Sequence, residues 1–208
     1  MGQAAPPGTR PPRTFFARDS RAVAPELLNK LLVRGERAGL RGPNAMVGRI
    51  VEVEAYCGAE DPGSHAYRGM TRRNATMFGP AGRLYVYFTY GMHHCANVVC
   101  GEEGVASAVL LRGLTAVAGL EEMRALRVKA KADRELCAGP GRICQALGID
   151  RSADGADLMT GDRGVVIVDD GTPPPAVPGI SVRVGLTAGA DSPWRFYVPG
   201  AVGLSRPG

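Results

Sequence analysis

An acid and an arginine, each carried by an apolar segment, have the residue types needed for general-base catalysis. Glu54 lies in the stretch Met46–Tyr56, and Arg112 directly follows the apolar run VLL. A carboxylate that takes a proton from water has to be ionised, and a neighbouring guanidinium lowers its pKa. The same spacing fits a solvent-facing Glu54 and a surface Arg112 equally well. From the residues alone, both interpretations stand.

A second stretch, Gly82–Asn97, concentrates aromatic rings. It holds three of the chain's six tyrosines, namely Tyr85, Tyr87 and Tyr90. Apolar residues alternate with the others from position 84 to 89, which predicts a half-buried strand with Tyr85 and Tyr87 on one face. Tyr90 precedes Gly91 and is therefore expected on a turn. A phenol offers a flat face for stacking and a hydroxyl that needs a partner, although an ordinary core strand has the same pattern.

Three histidines, His65, His93 and His94, raise the question of a metal site. Neighbouring residues on a strand face opposite ways, so His93 and His94 do not readily bind one ion together, and no acid stands at metal-ligand spacing. The chain also lacks the GxSxG, GxGxxG and GxxxxGK[ST] motifs. We therefore expect neither a metal nor a cofactor. A hydrolase with Glu52 and Glu54 as paired acid and base is a further alternative, which their closeness on one strand disfavours.

The composition is that of a globular protein. The chain has 208 residues, of which 45% are hydrophobic and 22% charged, enough for one well-buried domain. No run approaches the ~18 apolar residues of a membrane span, and the N-terminus lacks the apolar core of a signal peptide. Five cysteines form no CxxC pair, which indicates free thiols in a reducing compartment. We expect a cytoplasmic protein that is associated with the bacterial nucleoid and is not secreted.

Basic residues fall into three clusters. Residues 1–49 carry nine lysines and arginines against three acids, and residues 65–85 contain four arginines and no acid. A third cluster of six basic residues lies between Arg124 and Arg142. Together with the formal net charge of +5, these clusters indicate a polyanionic partner.

The elements that must position these groups are mainly strands. Strands are expected at 46–56, 84–89, 97–100, 106–112, 165–168, 180–184 and 195–198, with a hairpin turn at GEEG. Helices are expected after Pro25, with an apolar stripe at Leu27, Leu28, Leu31 and Leu32, over 119–131, and at 143–147. Because these elements do not alternate as βαβ units, we predict an α+β fold: a single domain with a curved, mainly antiparallel sheet and a few flanking helices. Residues 1–14 are expected to be a disordered tail before a domain over 15–208, and the aperiodic segment 57–83 a binding loop.

Several motifs follow one another in a characteristic order. They are VEVEAY, the loop that reaches His65, RNATMF, GRLYVYFTYGM, Asn97, VLLRG, DRELCAGPGRICQALGI and WRFYV. In this combination the chain resembles the alkyladenine (3-methyladenine) DNA glycosylase family over about residues 23–198. The resemblance implies a base-excision-repair DNA glycosylase domain that binds double-stranded DNA with a damaged purine, acts as a monomer, and needs no membrane, cofactor or metal.

The resemblance also implies roles for single positions. Glu54 would be the general base that activates water, with help from Arg112 and the carbonyl of Val184. The base pocket would be walled by Tyr56, His65, Tyr87 and Asn97, the last crowding the place where guanine carries its exocyclic amine. Tyr90 would be the wedge that intercalates into the duplex from the minor groove. Contacts to the minor groove or the backbone would come from Arg73, Met77, Met92, His93, Gly139, Gly141 and Arg142.

The reaction that this resemblance implies is hydrolysis of the N-glycosidic bond of a purine flipped out of the duplex, which leaves an abasic site. The substrates would be of the 3-methyladenine, 7-methylguanine, hypoxanthine and ethenoadenine class. No lysine occupies a matched position, so water is the expected nucleophile and the strand is expected to stay uncut. The alternative is a catalytically inert damage-binding or architectural minor-groove protein, which would not require Glu54 together with Arg112.

The chain departs from the family pattern in three places. His93 stands where the family can have an aromatic residue, the segment 65–71 is one residue short, and the GEEG turn is longer than usual and acidic. We expect altered DNA contacts at the first two places, and we expect the acidic turn to face away from DNA.

Overall fold

The computed structural model describes residues 8–35, 45–89 and 91–207. Its strands are β1 (Leu31–Arg34), β2 (Met46–Tyr56), β3 (Arg83–Thr89), β4 (His93–Cys100), β5 (Ser107–Ala118), β6 (Ala156–Asp157), β7 (Val165–Val168), β8 (Gly179–Ser181) and β9 (Arg195–Tyr197). Its α-helices are α1 (Arg13–Phe16), α2 (Ser20–Leu27), α3 (Leu120–Leu126) and α4 (Pro140–Ala146). None of the helices described is long and apolar enough to cross a membrane.

One sheet organises the molecule. Within the described residues its nine strands run in the order β6-β3-β4-β5-β2-β1-β7, and β9 adds to β2 while β8 adds to β9. Each pairing is antiparallel, and the sheet is an open, curved one. The prediction of an α+β single domain with a mainly antiparallel sheet is therefore confirmed.

Strand β2 is the centre of this sheet and carries Glu54. One edge of β2 pairs with β5 along its length, while the other edge is shared between β1 and β9. The pairing with β5 shifts register between Ile50 and Val53, next to the point where β9 takes over from β1. Glu52 and Glu54 are both fully buried. Of the two interpretations of Glu54, the solvent-facing one is therefore wrong, because the chain at Val184 contacts its carboxylate.

The hairpin predicted around GEEG is confirmed, because β4 and β5 pair antiparallel on either side of it. Strand β5 continues to Ala118, so Arg112 lies in its middle and not at its end. Strand β3 pairs with β4 so that Tyr85 stands opposite Asn97 and Tyr87 opposite Cys95. The side chains of these neighbours therefore lie on one face of the sheet.

The helix predicted after Pro25 is placed differently. Helix α2 begins before Pro25, where the Asp19 side chain accepts a hydrogen bond of 2.8 Å from the Arg21 N–H. It ends at Leu27, and Asn29 adopts a positive φ of 68°, a conformation that asparagine tolerates better than most residues. The leucine pattern fits a helical stripe as well as a strand. Because the chain turns at Asn29, Leu31 lies in β1 and not in the helix.

The N-terminal segment differs from the disordered tail predicted over 1–14. Residues 1–7 of that prediction lie outside the described residues. Thr9 exchanges backbone hydrogen bonds of 2.9 and 2.7 Å with Asp169, and α1 begins at Arg13. The Arg13 guanidinium also contacts the Asp157 carboxylate at 2.7 Å. These contacts hold residues 9–13 against the sheet, which the Pro/Gly-rich composition does not reveal.

Candidate active site

A cavity of about 320 Å³ opens beside β2, β3, β4 and β5. This volume is within the usual range for small-ligand pockets. The side chains and backbone that line it are Tyr56, Gly63, His65, Met77, Tyr85, Tyr87, Thr89, Cys95, Asn97, Leu110, Arg112, Pro140, Val184, Gly185 and Leu186. Strands contribute the tyrosine rings together with Asn97 and Arg112, and the segments around His65 and Val184 close the sides.

Glu54 lies directly behind the wall of this cavity. Its Oε2 accepts a hydrogen bond of 2.9 Å from the Tyr56 hydroxyl, and its Oε1 accepts one of 2.7 Å from the Val184 N–H. The Nε of Arg112 lies 3.3 Å from the same Oε1. All three partners of the carboxylate line the cavity. Val184 contacts Glu54 through its N–H group, and the role predicted for its carbonyl in water activation stays a prediction.

Burial raises the pKa of Glu54 above its ordinary value. The Arg112 charge, the Val184 N–H and the Tyr56 hydroxyl each oppose this effect, whereas the Glu52 charge adds to it. The expectation that Arg112 sets a low pKa is therefore wrong in its net direction, because removal from water outweighs the guanidinium. A carboxylate with a raised pKa is a stronger proton acceptor once it is ionised.

Glu52 is fully engaged on the same strand. Its Oε1 accepts hydrogen bonds from Arg195 Nε at 2.7 Å and Ser205 Oγ at 2.8 Å, and its Oε2 accepts one from the Ser205 N–H. Arg112 Nε also lies 3.3 Å from Glu52 Oε1. Glu52 is therefore a structural anchor for Arg112 and β9. Because Arg195, Ser205 and Arg112 already contact its carboxylate, Glu52 is not free to act as the second group of a paired-carboxylate mechanism.

The aromatic side chains form one cluster on the cavity wall. The rings of His65 and Tyr87 meet edge to face with 4.5 Å between centroids, and Tyr85 stacks on Tyr87 at 5.4 Å. The Nδ1 of His65 lies 3.3 Å from the Tyr85 hydroxyl. Tyr56 lines the same cavity. The three rings that the resemblance assigned to the base pocket thus line one cavity, with Tyr85 as an additional member.

The rings of this cluster are uncharged at neutral pH. Burial raises the pKa of Tyr85 to about 12 and raises the pKa of Tyr56 and of Tyr87 as well. Burial, followed by the Arg73 charge, lowers the pKa of His65. Neutral imidazole and phenol rings are electron-rich surfaces, which attract a cationic ring placed over them.

Strand β4 supplies the part of the wall next to the β3 tyrosines. Asn97 is 5% exposed and its Nδ2 donates a hydrogen bond of 3.3 Å to the Tyr85 carbonyl. That bond fixes the amide plane against the cavity. Cys95, two residues earlier, points to the same face and also lines the cavity. Sequence reasoning missed Cys95, although its position opposite Tyr87 follows once the β3–β4 register is known.

The residues predicted to contact DNA are mostly at the surface near the cavity mouth. Met92 is 70% exposed, and Arg73 is exposed with its Cζ 5.4 Å from the centre of the Tyr87 ring. A groove of about 390 Å³ that shares Pro140 with the cavity is lined by His93, Arg127, Lys129, Gly139, Pro140, Gly141, Arg142 and Gln145. A Cβ on Gly141 would come within 3.1 Å of the His93 ring, so α4 and β4 approach each other closely at this glycine.

Two predicted DNA contacts stand apart from this group. Met77 is only 2% exposed and lines the cavity, so the structure places it in the pocket wall and not on the surface predicted for it. Its burial follows from the short 3-10 helix Ala75–Phe78, which packs on β3, β4 and β5. Tyr90, the predicted wedge, lies outside the described residues.

Sequence reasoning also missed the pair Arg183 and Asp61. Both side chains are completely buried, and Arg183 Nη2 donates a hydrogen bond of 2.7 Å to Asp61 Oδ1. Asp61 belongs to a segment without periodicity, and Arg183 falls in the strand expected over 180–184, whereas β8 ends at Ser181 and Arg183 lies beyond it. The only signal in the sequence was the position of Arg183 directly before Val184.

Comparison with known proteins identifies the family of this chain. A family model described as methylpurine-DNA glycosylase (MPG) matches residues 14–202. A protein of Burkholderia lata is 52% identical over 201 residues, which cover 97% of this chain and 93% of that protein. A protein of Streptomyces avermitilis is 49% identical, with 94% and 90% covered, and one of Carboxydothermus hydrogenoformans is 46% identical, with 90% and 94% covered.

Each of these three relatives has a name that assigns it provisionally as a 3-methyladenine DNA glycosylase. The matches span nearly the whole chain, including both segments that close the cavity. The predicted family, and with it a DNA partner and the function in base-excision DNA repair, is confirmed. The chain belongs to the methylpurine-DNA glycosylase family and is a monofunctional DNA glycosylase, a hydrolase of N-glycosyl bonds.

Proposed function

We propose that the protein flips a damaged purine out of duplex DNA into the cavity and hydrolyses its glycosidic bond with a water molecule activated by Glu54. The observation that carries this proposal is the hydrogen bond between Glu54 and Tyr56, which joins a buried carboxylate to a ring of the cavity wall. A base bound against Tyr56 places its sugar bond beside that carboxylate. The proposal extends to purines of the 3-methyladenine, 7-methylguanine, hypoxanthine and ethenoadenine class, as the names of the relatives suggest for the first of them.

The aromatic walls suit a flat, extruded base. His65 and Tyr87 contact each other, so a base does not fit between these two rings. We propose that the base lies between that pair and Tyr56, which lines the same cavity, and stacks on both faces. Stacking of about 1–3 kcal/mol per base offsets the few kcal/mol that unstacking from the duplex costs, and this cost is smallest for damaged bases.

Glu54 has the contacts of a general base. The Val184 N–H and the Tyr56 hydroxyl hold its carboxylate in one orientation, and Arg112 supplies a nearby positive charge. A cationic alkylpurine is a good leaving group, so the enzyme mainly has to provide an oriented water and a base for its proton. The attacking water gives its proton to Glu54, its oxygen joins C1′ of the sugar, and the electron pair of the broken bond leaves with the purine.

The product is expected to be an intact strand with an abasic site. A Schiff base would need an amine in the cavity, and no lysine lines the cavity formed by the described residues. Asn97 narrows the cavity where the exocyclic amine of a guanine derivative is proposed to lie, which would favour hypoxanthine and adenine derivatives.

The groove beside the cavity suits the DNA backbone. Arg127, Lys129 and Arg142 line it together with His93, and Pro140 belongs to the walls of both the groove and the cavity. Positive charges in this position would hold the phosphates that flank the flipped nucleotide. We also propose that the protein acts on DNA as a monomer, in the cytoplasm.

The test is a set of duplexes that differ only in one central purine. Hypoxanthine, ethenoadenine and 7-methylguanine should each be released as free base, with strand breakage only after alkali treatment, whereas adenine and guanine should stay in place. Cys95→Phe fills the cavity from β4 and should abolish release while leaving the affinity for undamaged duplex unchanged. Release of no damaged base by the wild-type protein, or breakage without alkali, would contradict the proposal.

A further inference from the structure

We propose that Arg183 and Asp61 form a buried positioning unit that sets the geometry of the catalytic carboxylate. This inference rests on the proposed function, because it assigns the pair to the orientation of Glu54. Two of the three groups that contact the Glu54 carboxylate are the Tyr56 hydroxyl and the Val184 N–H. Arg183 contacts the ring of the first and precedes the second in the chain.

The guanidinium of Arg183 is enclosed by aromatic rings. Its Cζ lies 4.6 Å from the centre of the Tyr56 ring and 4.9 Å from that of Trp194. A guanidinium between two rings is held by dispersion and by attraction to their π electrons. Because the Tyr56 ring is also a wall of the cavity, Arg183 supports it from outside the base site.

The hydrogen bonds of Arg183 reach three further segments. Nη1 donates to the Ala55 carbonyl at 3.0 Å and to Asp61 Oδ2 at 2.5 Å, and Nη2 donates to Asp61 Oδ1 at 2.7 Å and to the Gly189 carbonyl at 3.0 Å. Ala55 is the residue between Glu54 and Tyr56. One side chain therefore fixes the backbone beside the proposed base, the ring that donates to it, and both ends of the segment 183–189.

Asp61 extends this unit to the other side of the cavity. Its carboxylate accepts hydrogen bonds from the Gly63 N–H at 2.9 Å and the Cys57 N–H at 3.2 Å. Gly63 and His65 line the cavity. The Asp61–Arg183 pair thus ties the segment that carries His65 to the segment that carries Val184. Both side chains are 0% exposed, so the pair lies inside the protein and does not contact DNA.

The arrangement is more specific than core stability requires. A buried ion pair is often replaceable by apolar residues without loss of stability, but apolar residues could not donate to Ala55 and Gly189 or accept from Gly63. The position between Tyr56 and Trp194 allows a planar, bidentate cation, which lysine does not provide. We infer that the arginine is required for the rate of base excision.

The experiment compares Arg183→Lys and Asp61→Asn with Arg49→Lys as the matched control. Arg49 lies on the same strand as Glu54 and makes a two-pronged contact with Asp170 at 2.7 and 3.3 Å, away from the cavity. Single-turnover excision of hypoxanthine should be slower by about tenfold or more in the Arg183 and Asp61 variants. Affinity for undamaged duplex should stay within about twofold of wild type, and Arg49→Lys should keep the wild-type rate.

Tryptophan fluorescence detects the contact between Arg183 and Trp194 independently of catalysis. Trp194 is the only tryptophan in the chain, and the Arg183 guanidinium lies against its ring. Arg183→Lys should therefore change the tryptophan emission of the folded protein, whereas Arg49→Lys should leave it unchanged. Wild-type excision rates in folded Arg183→Lys and Asp61→Asn would overturn the proposal.

A third variant decides the case in which those two do not fold. Trp194→Leu leaves the Asp61–Arg183 pair in place and removes one of the two rings around the guanidinium. It should lower the excision rate by about threefold or more, and a wild-type rate would refute the positioning role. Glu54→Gln, measured in parallel, distinguishes failure of the positioning proposal from failure of the proposed function. A wild-type rate in Glu54→Gln contradicts the proposed function itself, independently of Arg183.

Discussion

The hydroxyl of Tyr56 donates a 2.9 Å hydrogen bond to the carboxylate of Glu54, which stands two residues earlier on the same strand. Side chains two residues apart on a strand share a face. This spacing places a stacking ring and a general base next to each other without the need for a contact between distant parts of the chain. The relationship gives Tyr56 two separable contributions, one from its ring and one from its hydroxyl.

Tyr56→Phe should slow excision and keep lesion binding. The variant retains the ring but removes a hydrogen bond to a charged group, which is worth about 1.5–3 kcal/mol, so the single-turnover rate should fall by about tenfold or more. Affinity for a duplex with ethenoadenine should change little. Tyr56→Leu is the matched variant that also removes stacking, and it should lose both rate and affinity. Equal rates for wild type and Tyr56→Phe would show that the hydroxyl does not orient the base.

The pH dependence of excision should follow the raised pKa of Glu54. The base has to be ionised, so the rate should rise with pH through a midpoint above that of an exposed glutamate. The groups that face the carboxylate are Arg112, Tyr56, Glu52 and the Val184 N–H, with Arg183 beyond the Tyr56 ring. Arg112→Met removes the largest effect that lowers this pKa.

The midpoint of the acid limb should therefore move to higher pH in Arg112→Met. Single-turnover rates across the acid range measure it, with Arg49→Met as the control because Arg49 pairs with Asp170 away from the cavity. A midpoint that stays in place or moves to lower pH in Arg112→Met would contradict the electrostatic role of Arg112.

Glu54→Gln should make the folded protein more stable at neutral pH. The folded-state pKa of Glu54 is raised, so between the unfolded and the folded pKa the native protein binds more protons than the unfolded chain. The free energy of unfolding of the wild type therefore falls as pH rises through that window, and glutamine does not incur this loss. Urea unfolding should give a higher midpoint for Glu54→Gln at neutral pH, with the advantage lost below the ordinary glutamate pKa. A less stable variant at neutral pH would show that burial is not the dominant effect.

The local patterns of the sequence predicted the strands that carry the site. Alternation in β2 and β3 was sufficient to place Glu54 with Tyr56 and Tyr85 with Tyr87, because a strand faces its residues alternately. The burial of Glu54 was not predictable in this way. It depends on the segment that begins at Arg183, whose Val184 N–H reaches the carboxylate only in the folded chain.

Long-range contacts explain the other differences. The pairs Arg183 with Asp61 and Val184 with Glu54 join residues that are 122 and 130 positions apart, so no local pattern in the sequence predicts them. Leu31 was assigned to a helix because its spacing fits both a helix and a strand; the turn at Asn29 decides between them. The motif resemblance predicts Met77 at the surface, whereas its packing depends on three strands that the motif does not include.

Asn97→Ser should relax discrimination against guanine derivatives. Asn97 is buried in the cavity wall and its amide is held by the Tyr85 carbonyl, so a shorter side chain opens space for an exocyclic amine. The rate for 7-methylguanine relative to hypoxanthine should rise by about tenfold, the order expected when a small steric conflict is removed. Thr89→Ser, another shortening on the cavity wall, is the control. An unchanged ratio in Asn97→Ser would place the amine elsewhere in the cavity.

The most direct test of the account is the single-turnover rate of hypoxanthine excision in Glu54→Gln, measured beside Glu60→Gln as an exposed-carboxylate control. Loss of the general base should lower the rate by at least about a hundredfold while damaged-duplex affinity is largely kept, and Glu60→Gln should match the wild type. A Glu54→Gln rate within about threefold of the wild type would contradict the assignment of Glu54 as the base that activates water.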